Sequence, residues 1–146
     1  MARVVRQSES EPVVLEKAAE LCRRLPLRDN GAKIAAVRDF LERKLQFLAD
    51  PVHTELLRTP VYMLNRINAV GRIQADCDDA ALLGASLLSS VGVPCRFVAV
   101  EFAALPGPLL HVWADAWDGK DWRDLDVTRP RNVPLAAIKR RVMKEV

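Results

Sequence analysis

The sequence predicts an α+β fold, with N-terminal helices and a central buried helix packed on an antiparallel sheet. Apolar residues recur at helical spacing as far as residue 91, and the period changes to two after Pro94. Residues 78–91 are rich in Ala and Leu on nearly every side, which suits a helix with no solvated face. Half of the 146 residues are hydrophobic and 28% are charged, a globular composition. One domain over 1–146 is expected, with the residues of chemical interest between about 71 and 128.

Residues 1–10 read as a polar, frayed end. Ser10 is placed as an N-cap, with Glu11 and Pro12 in the first turn of a helix running to about residue 25. Val14, Leu15, Ala18, Leu21 and Cys22 form its apolar stripe, so Cys22 reads as a small core residue. A second helix starts after Asn30-Gly31, carries Ile34, Val37, Phe40, Leu41, Leu45 and Leu48, and stops at Asp50-Pro51. A short helix at 55–57 breaks at Thr59-Pro60, and another turn or two runs over 61–67. The central helix ends at Gly92. Strands follow at 96–102, 109–117 and 122–127, with a turn at Pro106-Gly107-Pro108 and a hairpin at Asp118-Gly119-Lys120-Asp121. From Pro134 onward the chain reads as a short basic helix.

The net charge of +3 is too weak to argue for nucleic acid. The densest basic group, Lys139, Arg140, Arg141 and Lys144, reads as a solvated helix end. No apolar run is long enough for a signal peptide or a membrane span, so neither a membrane nor nucleic acid is an expected partner. Three cysteines without a CxxC pair suit a reducing compartment, and the expected location is cytoplasmic.

Cys77 stands at the junction of an irregular segment and the most apolar helix. Asp76 is a natural N-cap, and Asp79 is placed to reach back to free N–H groups. The helix N-terminus favours a thiolate at Cys77, but flanking carboxylates oppose it, so a cationic partner is needed. His53 lies in the irregular stretch, whereas His111 opens an alternating strand that shares one face with Trp113, Asp115 and Trp117. Pairing Trp117 with Trp122 places His111 and Asp126 on one face, as diagonal neighbours or, after a two-residue shift, directly opposite. A carboxylate there orients the imidazole and stabilises its protonated form.

These residues resemble the transglutaminase-like superfamily, whose papain-like arrangement packs a helix on an antiparallel sheet. The resemblance lies in an ordered set: Asp76-Cys77, then Gly92-Val93-Pro94-Cys95-Arg96, then His111-Val112-Trp113, then Trp122 through Asp126 to Thr128. It covers about residues 71–128, and it implies Asp126 rather than Asp124 as the third catalytic residue after Cys77 and His111. The chain departs from the pattern at Gln74-Ala75, where a Gly is usual, and at Val127, where Pro is commoner. Upstream, residues 47–60 are similar to small members encoded by bacteriophages and prophages.

The resemblance implies a cysteine-dependent acyl-transfer enzyme acting through a Cys77 thioester on a protein or peptide substrate. Hydrolysis needs only water, which favours an amide hydrolase or peptidase over a cross-linking transglutaminase. The Cys77 N–H is one expected oxyanion donor; Gln74 ranks first for the second, ahead of Asn65, Asn68 and Tyr62. Trp113 is a candidate cleft wall, and Cys95 reads as packing. Arg96 is placed either on an active-site carboxylate or on an exposed strand face. The alternative is a non-catalytic binding or assembly module, in a phage a virion component bound to phage structural proteins. No cofactor and no metal are expected: the acidic run around Cys77 lacks the spacing and turn glycine of a calcium loop and fits capping and solvation better.

Overall fold

The computed structural model describes residues 1–48, 57–102, 110–128 and 138–146. Among these residues five helices, α1 (Ala2–Ser8), α2 (Pro12–Cys22), α3 (Asn30–Lys44), α4 (Pro60–Val70) and α5 (Cys77–Ser89), accompany six strands. These are β1 (Leu45–Phe47), β2 (Ile73–Ala75), β3 (Cys95–Phe102), β4 (Leu110–Trp117), β5 (Trp122–Asp124) and β6 (Ile138–Glu145). The main sheet has the order β5-β4-β3-β6 and is antiparallel throughout. A parallel pair, β1 with β2, lies apart from it.

The α5 helix is the hub. Every residue from Asp79 to Leu88 is buried, and the helix packs on β4 and against α1, α2, α3 and α4. This is the central buried helix expected from its all-round apolar composition. Gly84 lets Leu41 of α3 and Leu125 come close: a Cβ there would meet their Cδ1 atoms at 3.1 and 3.7 Å. Gly92, with φ of 75°, reverses the chain from α5 into β3, a left-handed conformation that glycine adopts without strain.

The ends depart most from the sequence reading. Residues 2–8 form α1 rather than a frayed tail, because Ala2, Val5 and Ser8 fall on one helical face and are buried against α5. The next helix is capped at Glu11, not Ser10, with Pro12 at its first position, and it ends at Cys22. The α3 helix stops at Lys44, and the chain then extends so that Leu45, Gln46 and Phe47 pair with Ile73, Gln74 and Ala75. Thr59 caps α4, which is longer than expected. The expected turns at 55–56 and 106–108, the stop at Asp50-Pro51, and His53 lie outside the described residues.

The basic tail is a strand, not a helix. Residues 138–145 pair antiparallel with β3, from Arg96 opposite Glu145 to Phe102 opposite Ile138. Ile138, Val142 and Val146 stand at helical spacing, but the open edge of β3 offers this segment backbone partners, and pairing there overrides the local pattern. Residues 134–137 lie outside the described part. The expected hairpin is present: Trp117 faces Trp122, their rings 5.5 Å apart edge to face. Asp118 Oδ1 accepts from the Lys120 and Asp121 N–H groups, and Gly119 takes a φ of 108°.

Candidate active site

The α5 helix begins at Cys77. Asp76, in extended conformation, caps it by accepting from the Asp79 N–H at 3.2 Å, and Asp78 Oδ1 accepts from the same group at 2.8 Å. Cys77 therefore occupies the first helical position, half-buried, in the turn whose N–H groups have no partner within the helix. The other two thiols differ: burial pushes Cys95 up to about 12 and raises Cys22, while nearby Lys33 pulls the latter back in part.

The hairpin brings a histidine and a carboxylate together. His111 lies on β4, opposite Val100 of β3. Beyond β5 the Leu125 N–H still donates to the Ala114 carbonyl, holding register one step further. Asp124 Oδ1 then accepts from the Asp126 N–H at 3.3 Å, and Asp126 Oδ1 from the Thr128 N–H at 3.1 Å. These side-chain-to-backbone bonds draw the chain out of the ladder, so the strand ends at Asp124 rather than continuing to 127. The other oxygen of Asp126, Oδ2, meets His111 Nε2 at 2.8 Å, and both residues are buried. Cys77 lies close enough to His111 to raise its pKa. Burial alone would lower the His111 pKa. The hydrogen bonds and charges of Asp126 and Cys77 outweigh that and hold it at about 9, against an ordinary 6.5.

Behind His111 lies a polar network that sequence reasoning foresaw only in part. The Trp113 ring centroid is 5.8 Å from that of His111, and its indole N–H donates to Asp115 Oδ1 at 2.8 Å. Arg96, cross-strand from Asp115, donates to its Oδ2 through Nε at 3.0 Å and through a terminal nitrogen at 2.9 Å. The guanidinium carbon lies 4.2 Å from the Trp122 ring centroid. Trp113 is thus a buried wall with its N–H committed to Asp115. The signal was available: in an alternating strand, Asp115 must share the face of His111 and Trp113.

The sequence model of the transglutaminase-like superfamily matches residues 19–127, most of the chain. The chain belongs to the transglutaminase-like superfamily. No curated protein matches it closely in sequence. Among solved structures, a candidate cysteine protease from Cytophaga hutchinsonii superposes with a TM-score of 0.61 at 20% identity, over 86% of this chain and 39% of that one. A candidate protease from Parabacteroides distasonis gives 0.63 at 15% identity, over 86% of this chain and 25% of that one. Calcium-bound LapG from Legionella pneumophila gives 0.57 at 17% identity, over 94% of this chain and 79% of that one. The transglutaminase-like chain thus spans well under half of the first two proteins, and these likenesses show a shared fold.

In this member of the superfamily the acidic run around Cys77 has an unexpected role. Asp79, fully buried, does not reach back to cap the helix. It accepts from the Arg58 N–H at 2.7 Å and pairs with the Arg58 guanidinium, fastening the segment before α4 to the first turn of α5. Burial raises its carboxyl, and Arg58 pulls it back down. Asp76, Asp78 and Asp79 place oxygens within 4.8 Å of one another. A cation there would compete with Arg58 and with the Asp79 N–H for those oxygens. Of the candidate oxyanion donors, Gln74 is exposed on β2 and lines a cleft with Tyr62. Asn65 and Asn68 are exposed on α4 and are not among that cleft's walls.

Proposed function

We propose that this chain is a cysteine-dependent acyl-transfer enzyme, an amide hydrolase or peptidase, with Cys77 as nucleophile, His111 as base and Asp126 as orienter. The observation that carries this reading is the buried 2.8 Å contact between His111 and Asp126, on an imidazole whose pKa Cys77 also raises. Nε2 is engaged by Asp126, so Nδ1 is the nitrogen that accepts the thiol proton. The sulfur then attacks the amide carbon of a protein or peptide, forming a C–S bond as the carbonyl π pair moves onto oxygen. The Cys77 N–H, at the first helical position, donates to that oxyanion, and Gln74 is the proposed second donor. Collapse breaks the C–N bond, the leaving amine takes the proton from His111, and water hydrolyses the thioester with His111 again as base.

The test is iodoacetamide labelling of each cysteine as a function of pH, read by mass spectrometry on wild type and His111→Ala. Cys77 is expected to label fast near neutral pH and to lose that advantage without His111, while Cys22 and Cys95 stay slow. A Cys77 that labels like an ordinary thiol, or that ignores His111, favours the second reading, a non-catalytic binding or assembly module on the same fold.

The reading includes no metal: both Asp79 oxygens are bonded to Arg58, and one oxygen each of Asp76 and Asp78 accepts from the Asp79 N–H. Chelation with EDTA should accordingly leave Cys77 labelling unchanged. A cytoplasmic setting is proposed with it, supported by three free cysteines. No helix among the described residues is long and apolar enough to cross a membrane. The similarity of residues 47–60 to phage-encoded members adds a proposed class of substrate or partner, the phage structural proteins.

A further inference from the structure

A cleft of about 340 Å³ opens beside the Cys77 segment, lined by Arg58, Tyr62, Arg66, Arg72, Ile73 and Gln74. Its walls follow from local geometry. Tyr62 and Arg66 are four residues apart on α4 and share a face. Arg72 and Gln74 are two apart in extended chain and share another. Gly71, with φ of 87°, folds α4 back onto β2 and turns the two faces toward one space. Arg58 fixes the cleft to the cysteine: it lines the wall and pairs with Asp79, two residues past Cys77. Gln74 lies three residues before Cys77.

Arg58 is neutralised by Asp79. Arg66 and Arg72 have no carboxylate partner among the described residues. Two guanidinium groups, a phenol and an amide around one polar space form a donor set suited to a carboxylate. The volume sits at the small end of ligand sites and takes a side chain rather than a folded surface. Nucleic acid fits less well: such sites string basic and aromatic groups along a backbone-length groove, and this cleft has one tyrosine in a chain of net charge +3.

We propose that the Arg66–Arg72 cleft is a specificity subsite of the cysteine centre, which takes the carboxylate of a Glu or Asp side chain near the scissile amide of a peptide substrate. This rests on the hydrolase reading above and adds the substrate class. Occupancy of the cleft by the acidic side chain places the neighbouring amide at the N-terminus of α5. The same positive charge disfavours substrates with Lys or Arg at that position.

The experiment titrates the full chain with two dye-labelled peptides, Ala-Ala-Glu-Glu-Ala-Ala and its Gln-Gln counterpart, by fluorescence anisotropy at about 50 mM salt, where surface charge is little screened. A short oligothymidylate serves as a third probe. The Glu peptide is expected to bind about tenfold tighter than the Gln peptide. It should also slow alkylation of Cys77 by N-ethylmaleimide, and Arg66→Gln/Arg72→Gln should abolish both effects. Both arginines are exposed, so the double variant should fold, which its thermal melt checks. Equal binding of the two peptides, a preference that survives in the double variant, or tighter binding of the oligothymidylate would each overturn the proposal. The anisotropy arm needs no reactive thiol, so a Cys77 that labels like an ordinary thiol sinks the hydrolase reading while the cleft is still judged by the peptides.

Discussion

At the scale of single residues, the imidazole of His111 links the candidate chemistry to stability. Its pKa, about 9 in the folded chain against an ordinary 6.5, means that folding favours the protonated form. That stabilisation is complete below pH 6.5 and is lost as the pH rises through about 9. Urea unfolding of wild type across this window should therefore show declining stability, with a slope of up to about 1.4 kcal/mol per pH unit. In His111→Ala the contribution disappears. Asp126→Asn removes the carboxylate that orients the ring and raises its pKa. It should slow Cys77 alkylation at pH 7 by roughly tenfold or more and move its pH profile upward. This pair was legible in the sequence because strand alternation and the Trp117–Trp122 register fix which side chains share a face. The Asp79–Arg58 contact was not, because a carboxylate in the first turn of a helix reads as a cap until burial shows it facing inward.

At the scale of elements, α5 carries the centre and depends on contacts outside itself. The Arg58–Asp79 pair joins a fully buried carboxylate to a guanidinium that is only 23% exposed. Removing one partner leaves a buried charge uncompensated, and Arg58→Ala should cost about 3 kcal/mol in chemical denaturation. Farther along the helix, Ser86 Oγ is buried with no hydrogen-bond partner among the described residues. Ser86→Ala should raise stability by up to about 1 kcal/mol, because it removes an unsatisfied hydroxyl and introduces a better helix former. The helical spacing of apolar residues located α2, α3 and α5 well. It failed at α1, whose sequence looks polar unless residues 2, 5 and 8 are read as one face. It also ran past the end of α3, where Leu45 and Leu48 extend a helical pattern but the backbone turns to pairing with β2.

At the scale of the whole molecule, helices come first and an antiparallel sheet second, and that order was plain from the change of period at Pro94. The second, parallel pair and the final strand were not, since each is set by a partner distant in sequence rather than by a local pattern. The last strand bears on solubility. Along its length β3 presents backbone groups on two sides, one satisfied by β4 and the other by β6. Deleting residues 138–146 strips the second side and leaves an eight-residue strand edge open, a template for another chain. The truncated protein is expected to scatter light and elute early from size exclusion at concentrations where the full chain does not. In that sense β6 is a selvedge: its backbone occupies the place where a second copy would add, in a segment whose sequence is rich in basic residues.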